Sequence, residues 1–178
     1  MTTQLHWSKL YALVIRHWQL VFSFFWALGL VAISYGVFSP GFQTNDDVVM
    51  AMRVHGFGQF VAPTPYIVYS NILWGLLLYI LPSIAGYLAY AWTTVFILAC
   101  CSWGITYFIV RSAIPLLFAV LLSTFVLINP LLHPQFTVTA GLCAVVSVLA
   151  FKRYLDYPSR WLLAVSYTHL TLPTSDLV

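Results

Sequence analysis

Two adjacent aspartates stand out in a chain that has few acidic residues. The 178-residue sequence contains no glutamate, and its four acidic residues are Asp46, Asp47, Asp156 and Asp176. Asp46 and Asp47 therefore form the only acidic pair. A carboxylate placed beside a substrate can accept a proton from a hydroxyl group or hold a metal ion. Carboxylate chemistry in this chain is expected first at this pair.

Arg53 adds a cation to the same polar stretch. On a helix Asp46, Met50 and Arg53 share one face, which would present a base and a cation together. In the functional hypothesis an aspartate takes a proton from an acceptor hydroxyl and Arg53 binds a phosphate. The alternative is ordinary capping, because acidic residues in a first turn stabilise a helix. The neighbouring stripe, expected to face membrane or protein, is Val48, Met52 and His55.

The surrounding composition is that of a membrane protein. Hydrophobic residues make up 62% of the chain and charged residues 6%, with a mean hydropathy of +0.93. Soluble domains carry about one-quarter charged residues, so a water-soluble fold is excluded. The net charge of +3 is too small to indicate a nucleic-acid partner. Cys100, Cys101 and Cys143 lie in apolar blocks and are interpreted as packing residues.

The aspartate pair lies in the polar loop 39–65, which follows the first apolar block. That block, residues 18–38, is free of charge and long enough to cross the roughly 30 Å hydrocarbon core. Within the loop, residues 44–56 are predicted to form a short helix. Thr44 or Asn45 would be its N-cap, and Gly56 would end it.

Four more apolar blocks follow, at residues 66–81, 83–110, 113–132 and 136–151, and the cations show which of them cross. If 66–81 spanned the membrane, Arg111 and the later cations would fall on the outer side, against the positive-inside rule. Residues 66–81 are therefore predicted to lie on or dip into the outer interface. This arrangement places the amino terminus in the cytoplasm, and Arg53 is the one cation outside.

These patterns predict an all-α polytopic bundle. It has about four spans and the start of a fifth, a helical first external loop and a juxtamembrane or re-entrant helix. Residues 1–164 are interpreted as part of a transmembrane domain. From about Val165 the chain resembles the translation of a sequencing-library adapter, so 165–178 are predicted to be a non-native tail.

A family resemblance rests on three features in chain order. One amino-terminal span is followed by an external loop with Asp46-Asp47-x-x-Met50 and a glycine, and then by Pro65-Tyr66 opening an apolar segment. This order resembles the membrane glycosyltransferases of the GT-C superfamily, over roughly residues 10–160. The resemblance implies an amino-terminal fragment of a bacterial inner-membrane enzyme. It also implies a polyprenyl-phosphate sugar donor, a glycan or lipid acceptor, and a catalytic carboxylate at Asp46 or Asp47.

His55 and His133 are the remaining candidates for binding substrate, each weighed against a purely structural role. His133 would join the site if the second external loop approaches the first. A divalent metal at the aspartates stays an open alternative, and no other cofactor is indicated. The competing functions are a multi-pass transporter or flippase and a non-catalytic membrane protein, although the predicted spans lack the charges that ion-coupled transport requires.

Overall fold

The computed structural model describes residues 17–42, 44–68, 70–158 and 163–164. These residues form six α-helices and no extended strand, which confirms the all-α prediction. The helices are α1 (Trp18–Val37), α2 (Asn45–His55), α3 (Ile72–Ile80), α4 (Ala89–Val110), α5 (Leu116–Leu132) and α6 (Phe136–Asp156). The predicted non-native tail lies outside the described residues, as does most of the predicted fifth span.

Three of these helices are long and apolar enough to cross a bilayer. They are α1 with 20 residues, α4 with 22 and α6 with 21. The length and composition of these helices indicate an integral membrane protein, and each helix falls on a block predicted to span. Their faces carry exposed apolar side chains such as Phe25, Phe96 and Val148, which is the surface that a lipid environment favours.

The predicted count of four spans is not confirmed, because α5 is shorter than the block that predicted it. It has 17 residues, or about 25 Å at 1.5 Å per residue, which is less than the roughly 30 Å hydrocarbon core. Ala113 and Ile114, the first two residues of the predicted block, fall in the turn before the helix, and Pro115 is its N-cap residue. A proline favours an extended conformation in the residue before it, so the helix starts late.

The core of the bundle lies where α1, α4, α5 and α6 meet. Its buried side chains are Leu30, Leu98, Cys101, Ile105, Leu127, Leu131, Cys143 and Val146. The Sγ atoms of Cys101 and Cys143 are 3.4 Å apart, which is well beyond the roughly 2.05 Å of a disulfide. The two side chains therefore pack as thiols between α4 and α6, as the sequence interpretation expected.

A second cluster of buried side chains holds α2 and α3 against the start of α4. It consists of Met50, Ala51, Val54, Ile67, Leu78, Ala89 and Tyr90. Helix α3 covers only residues 72–80 of the predicted 66–81, because Asn71 caps it by accepting a hydrogen bond from the backbone N–H of Trp74 at 2.8 Å. Nine residues extend about 13 Å, so this helix is too short to cross a bilayer.

Candidate functional site

Local sequence signals define both ends of α2. Thr44 is the N-cap residue, and its hydroxyl donates a hydrogen bond to Asp47 Oδ2 at 2.7 Å. At the other end Gly56 adopts a left-handed conformation with φ of 67°, and its N–H donates to the Met52 carbonyl. A side chain at Gly56 would also collide with Pro63, whose ring packs against this turn. The predicted helix bounds are confirmed.

The face that α2 packs inward differs from both predicted stripes. The buried residues of α2 are Asp47, Met50, Ala51 and Val54. Successive members of this set are three, one and three positions apart, so all four lie on one side of the helix. Met50 is 1% exposed, whereas Asp46 lies on the outside. The hypothesis was that one face with Asp46, Met50 and Arg53 presents a base and a cation. Met50 does not fit it, because this apolar side chain turns inward while Asp46 is exposed.

Asp47 is fully buried and accepts hydrogen bonds from three elements. Besides the Thr44 bond to Oδ2, its Oδ1 accepts from the Tyr90 hydroxyl at 2.7 Å and from the Phe136 backbone N–H at 3.1 Å. Burial of an ionised carboxylate requires such partners. Asp47 thus joins α2 to the first turns of α4 and α6. We call this set the Asp47 network: Thr44, Asp47, Tyr90 and the Phe136 N–H.

The Asp47 network also shows how the helices run. Tyr90 and Phe136 each lie at the amino-terminal end of their helix, so α4 and α6 both start at the end of the bundle that carries Asp47. Their carboxyl-terminal ends lie opposite, with Arg111 capping α4 and Arg153 in the last turn of α6. Among the described cations, Arg53 is therefore separated from Arg111, Lys152 and Arg153 by the length of the bundle.

Asp46 lies beside the Asp47 network but outside it. Its side chain is exposed, and it belongs to the first turn of α2, where the helix dipole stabilises a negative charge. The two adjacent carboxylates therefore have different surroundings. Asp47 is held on both oxygens by protein donors, and Asp46 is accessible to a substrate.

Arg53 lies two turns from Asp46, in the last turn of α2. Its guanidinium carbon is 5.6 Å from the centre of the Phe60 ring, a distance at which a cation and a ring attract each other. The Nε atom is buried and has no hydrogen-bond acceptor among the described residues. The aromatic contact holds the side chain over the 56–60 turn.

His55 makes a structural contact with α4. Its Nε2 atom accepts a hydrogen bond from the Tyr90 backbone N–H at 3.3 Å, so this nitrogen carries no proton. Partial burial lowers the pKa of the His55 imidazole, because removal from water disfavours the charged ring. His55 therefore reinforces the α2–α4 contact that Asp47 makes through the Tyr90 hydroxyl.

The loop between α5 and α6 meets the segment between α1 and α3 at the Asp47 network. His133 follows the end of α5, and its side chain is exposed. Three residues later the Phe136 N–H reaches Asp47. The structure thus brings the His133 loop to the aspartates, but no hydrogen bond of the His133 side chain to Asp46, Asp47, Arg53 or His55 is seen among the described residues.

A groove of about 670 Å³ opens next to the Asp47 network. It lies between α1 and α4, with residues 38–42 and Pro134 closing its end. Phe42 links it to the network, because its ring contacts the Tyr90 ring at a centroid distance of 5.5 Å. None of the five predicted site residues lines this groove.

The structure adds Tyr90 and Thr44 to the site, and sequence reasoning gave neither of them a functional contact. Thr44 could have been found from its N-cap position three residues before Asp47, since a capping residue and the third helical residue commonly bond. Tyr90 offered no such signal, because it is one of 11 tyrosines and lies 43 residues from its partner.

The described residues do not form a metal site. They contain no group of three or more His, Cys, Asp or Glu side chains close enough to hold an ion. Both Asp47 oxygens already accept from O–H or N–H donors, which leaves Asp46 as the one accessible carboxylate of the pair.

Comparison of the whole chain with protein-family models, with characterised proteins and with solved structures finds no match.

Proposed function

We propose that this chain is part of an integral membrane glycosyltransferase that moves a sugar from a polyprenyl-phosphate donor to a hydroxyl acceptor at the outer membrane face. The observation that carries the proposal is the pairing of an accessible carboxylate, Asp46, with a neighbouring carboxylate that fixes its helix. Helix α2 is anchored to two spanning helices, so Asp46 is presented at one membrane surface from a rigid element.

The distribution of cations supports the orientation in this proposal. Arg111, Lys152 and Arg153 lie at the end opposite to Asp47, and the positive-inside rule assigns that end to the cytoplasm. The Asp47 network then faces outward, and the amino terminus of α1 is cytoplasmic. In this arrangement α5 also crosses the membrane, which brings the number of spans to four, with Arg111 at its cytoplasmic side and His133 outside. It crosses a slightly thinned bilayer.

The proposed reaction is substitution at the anomeric carbon of the donor. The acceptor oxygen forms a bond to that carbon, the bond between the carbon and the phosphate oxygen breaks, and the polyprenyl phosphate leaves with the electron pair. Asp46 takes the proton of the acceptor hydroxyl. Arg53 binds the phosphate as negative charge develops on it. Asp47 positions α2 and does not touch substrate.

This division of roles gives two aspartate variants different outcomes. In membranes that contain the complete gene product, Asp46→Asn should lower transfer from radiolabelled polyprenyl-phosphate sugars by about 10²- to 10⁴-fold, because that is the usual contribution of a general base. Protein abundance should not change, since Asp46 is exposed. Asp156→Asn, an exposed aspartate at the other end of the bundle, is the matched control and should keep full activity.

Asp47→Asn should instead lower stability. An amide presents one oxygen and one NH₂ group to three donors, so at least one charge-assisted hydrogen bond is lost at a cost of about 1.5–3 kcal/mol. Thermal unfolding of the purified chain measures this loss, and Tyr90→Phe should reproduce part of it. Full transfer activity of Asp46→Asn at normal abundance would reject the transferase proposal.

A non-catalytic membrane protein is the second candidate, and the burial of Asp47 favours it. A fully buried carboxylate with three donors is explained by structure alone. The two candidates differ at Asp46, because the structural role of the motif does not require that exposed side chain. Transfer activity that depends on Asp46 therefore separates them.

A further inference from the structure

The groove between α1 and α4 has the chemistry of a lipid site. Its long walls are apolar, with Val31 from α1 and Ala91 and Val95 from α4. Trp92 and Phe42 add aromatic surface near the end that meets the Asp47 network. Its volume of about 670 Å³ is in the range of about 300–1,000 Å³ in which proteins hold small molecules.

The groove continues into the surface that faces the bilayer. Ala32 on its α1 wall is exposed and precedes Ile33, which is 56% exposed, while Val95 on the α4 wall precedes Phe96, which is 64% exposed. Both exposed residues belong to helices long and apolar enough to span. An apolar chain can therefore enter the groove sideways from the membrane.

The charge of the groove lining indicates which kind of lipid fits it. Among the described residues, the lining contains no Asp, Glu, Lys, Arg or His side chain. Its polar edge consists of neutral groups, including the exposed Ser39 and Tyr87 side chains. In a polyprenyl phosphate the charged monoester is joined directly to the apolar chain and would lie at this neutral edge without a counter-charge. In a diacyl phospholipid the neutral ester carbonyl groups lie between the acyl chains and the charged phosphate, and they can accept from hydroxyl donors at this edge. Tyrosine and tryptophan are also enriched at this depth of a bilayer.

We propose that the α1–α4 groove binds one diacyl phospholipid, with an acyl chain along Val31, Ala91 and Val95 and an ester carbonyl at the Ser39 hydroxyl. The bound lipid fills the space between two spanning helices beside the Asp47 network. This site is independent of the proposed sugar transfer, because it needs neither Asp46 nor Arg53.

Native mass spectrometry of the purified 178-residue chain with added dioleoylphosphatidylcholine tests this site. One phosphatidylcholine should bind per chain, and dioleoylphosphatidylglycerol should bind within about threefold of it, because the lining carries no charge. Ala91→Phe fills the groove and should weaken binding at least tenfold. Ala144→Phe makes the same change at an exposed position of α6 and should leave binding unchanged. Ser39→Ala should weaken binding by about two- to tenfold, through one lost hydrogen bond.

Circular dichroism of each variant establishes that the helices are retained, and Val95→Trp serves as a second filling variant if Ala91→Phe does not fold. Equal phosphatidylcholine binding in Ala91→Phe and Ala144→Phe would overturn the proposal, as would no binding by the unchanged chain. Polyprenyl phosphate that binds more than tenfold more tightly than phosphatidylcholine, and is lost in Ala91→Phe, would also overturn it and assign the groove to the carrier lipid.

Discussion

At the scale of single residues, Asp46 and Asp47 are adjacent in sequence, but one is exposed and the other is buried. Asp47 is enclosed by donors from α2, α4 and α6, and Asp46 is open to solvent. The sequence predicted the pair as a site but could not separate the two roles. The separation depends on Tyr90 and Phe136, which are 43 and 89 residues away.

His55 gives the α2–α4 contact a dependence on pH. A protonated imidazole cannot accept the Tyr90 N–H, and burial lowers the pKa of His55. The folded protein therefore binds this proton less readily than the unfolded chain does. Stability should fall as the pH drops below about 6.5, the unfolded value, and the loss is complete below the lowered pKa.

Thermal unfolding of the purified chain between about pH 8 and about pH 5 measures this effect. His55→Gln retains an acceptor but does not titrate, so its unfolding temperature should change less over this range. His133→Gln, on the exposed loop, should keep the profile of the unchanged chain. A His55→Gln profile identical to that of the unchanged chain would contradict the assignment.

At the scale of elements, local signals predicted α2 better than α3. The bounds of α2 depend on Thr44 and Gly56, which act within one turn of the helix. The prediction for α3 instead relied on the apolar run between Pro65 and Pro82, and it missed that residues 66–68 and 70 lie outside the helix. Asn71, a favourable N-cap residue, was the available signal for the later start.

Gly75 of α3 lies in close contact with the Pro65 turn, which leaves no room for a larger side chain. A methyl group at Gly75 would overlap the carbonyl oxygen of Pro65, so Gly75→Ala should displace α3 from the Pro65 turn and cost about 1–3 kcal/mol. Gly141→Ala on α6 is the matched control, because no atom lies within 4 Å of its added methyl. Thermal unfolding compares the two variants. Equal stability would show that α3 does not seat against the Pro65 turn.

At the scale of the whole molecule, hydropathy predicted the all-α membrane class, and the cations predicted which block does not cross. Three spanning helices fall on predicted blocks. The apolar block overestimated the length of α5, because Ala113 and Ile114 are apolar but precede Pro115 and stay outside the helix. Pro115 was the available signal for the later start.

The proposed orientation predicts which surfaces a membrane-impermeant maleimide can reach. In a chain whose three cysteines are replaced by alanine, Gln59→Cys should react in intact cells, because Gln59 is exposed in the loop after α2. Ser112→Cys, exposed at the opposite end between α4 and α5, should react only after the cells are permeabilised. Reaction of both variants in intact cells would contradict the proposed topology.

The bond between the Phe136 N–H and Asp47 has a consequence for biosynthesis. Residue 136 is translated after α1, α4 and α5, so the carboxylate receives its last donor only when α6 begins to emerge. Until then Asp47 lacks one of the donors that make its burial favourable. Within the Asp47 network this bond can therefore form only after α1, α4 and α5 have been translated.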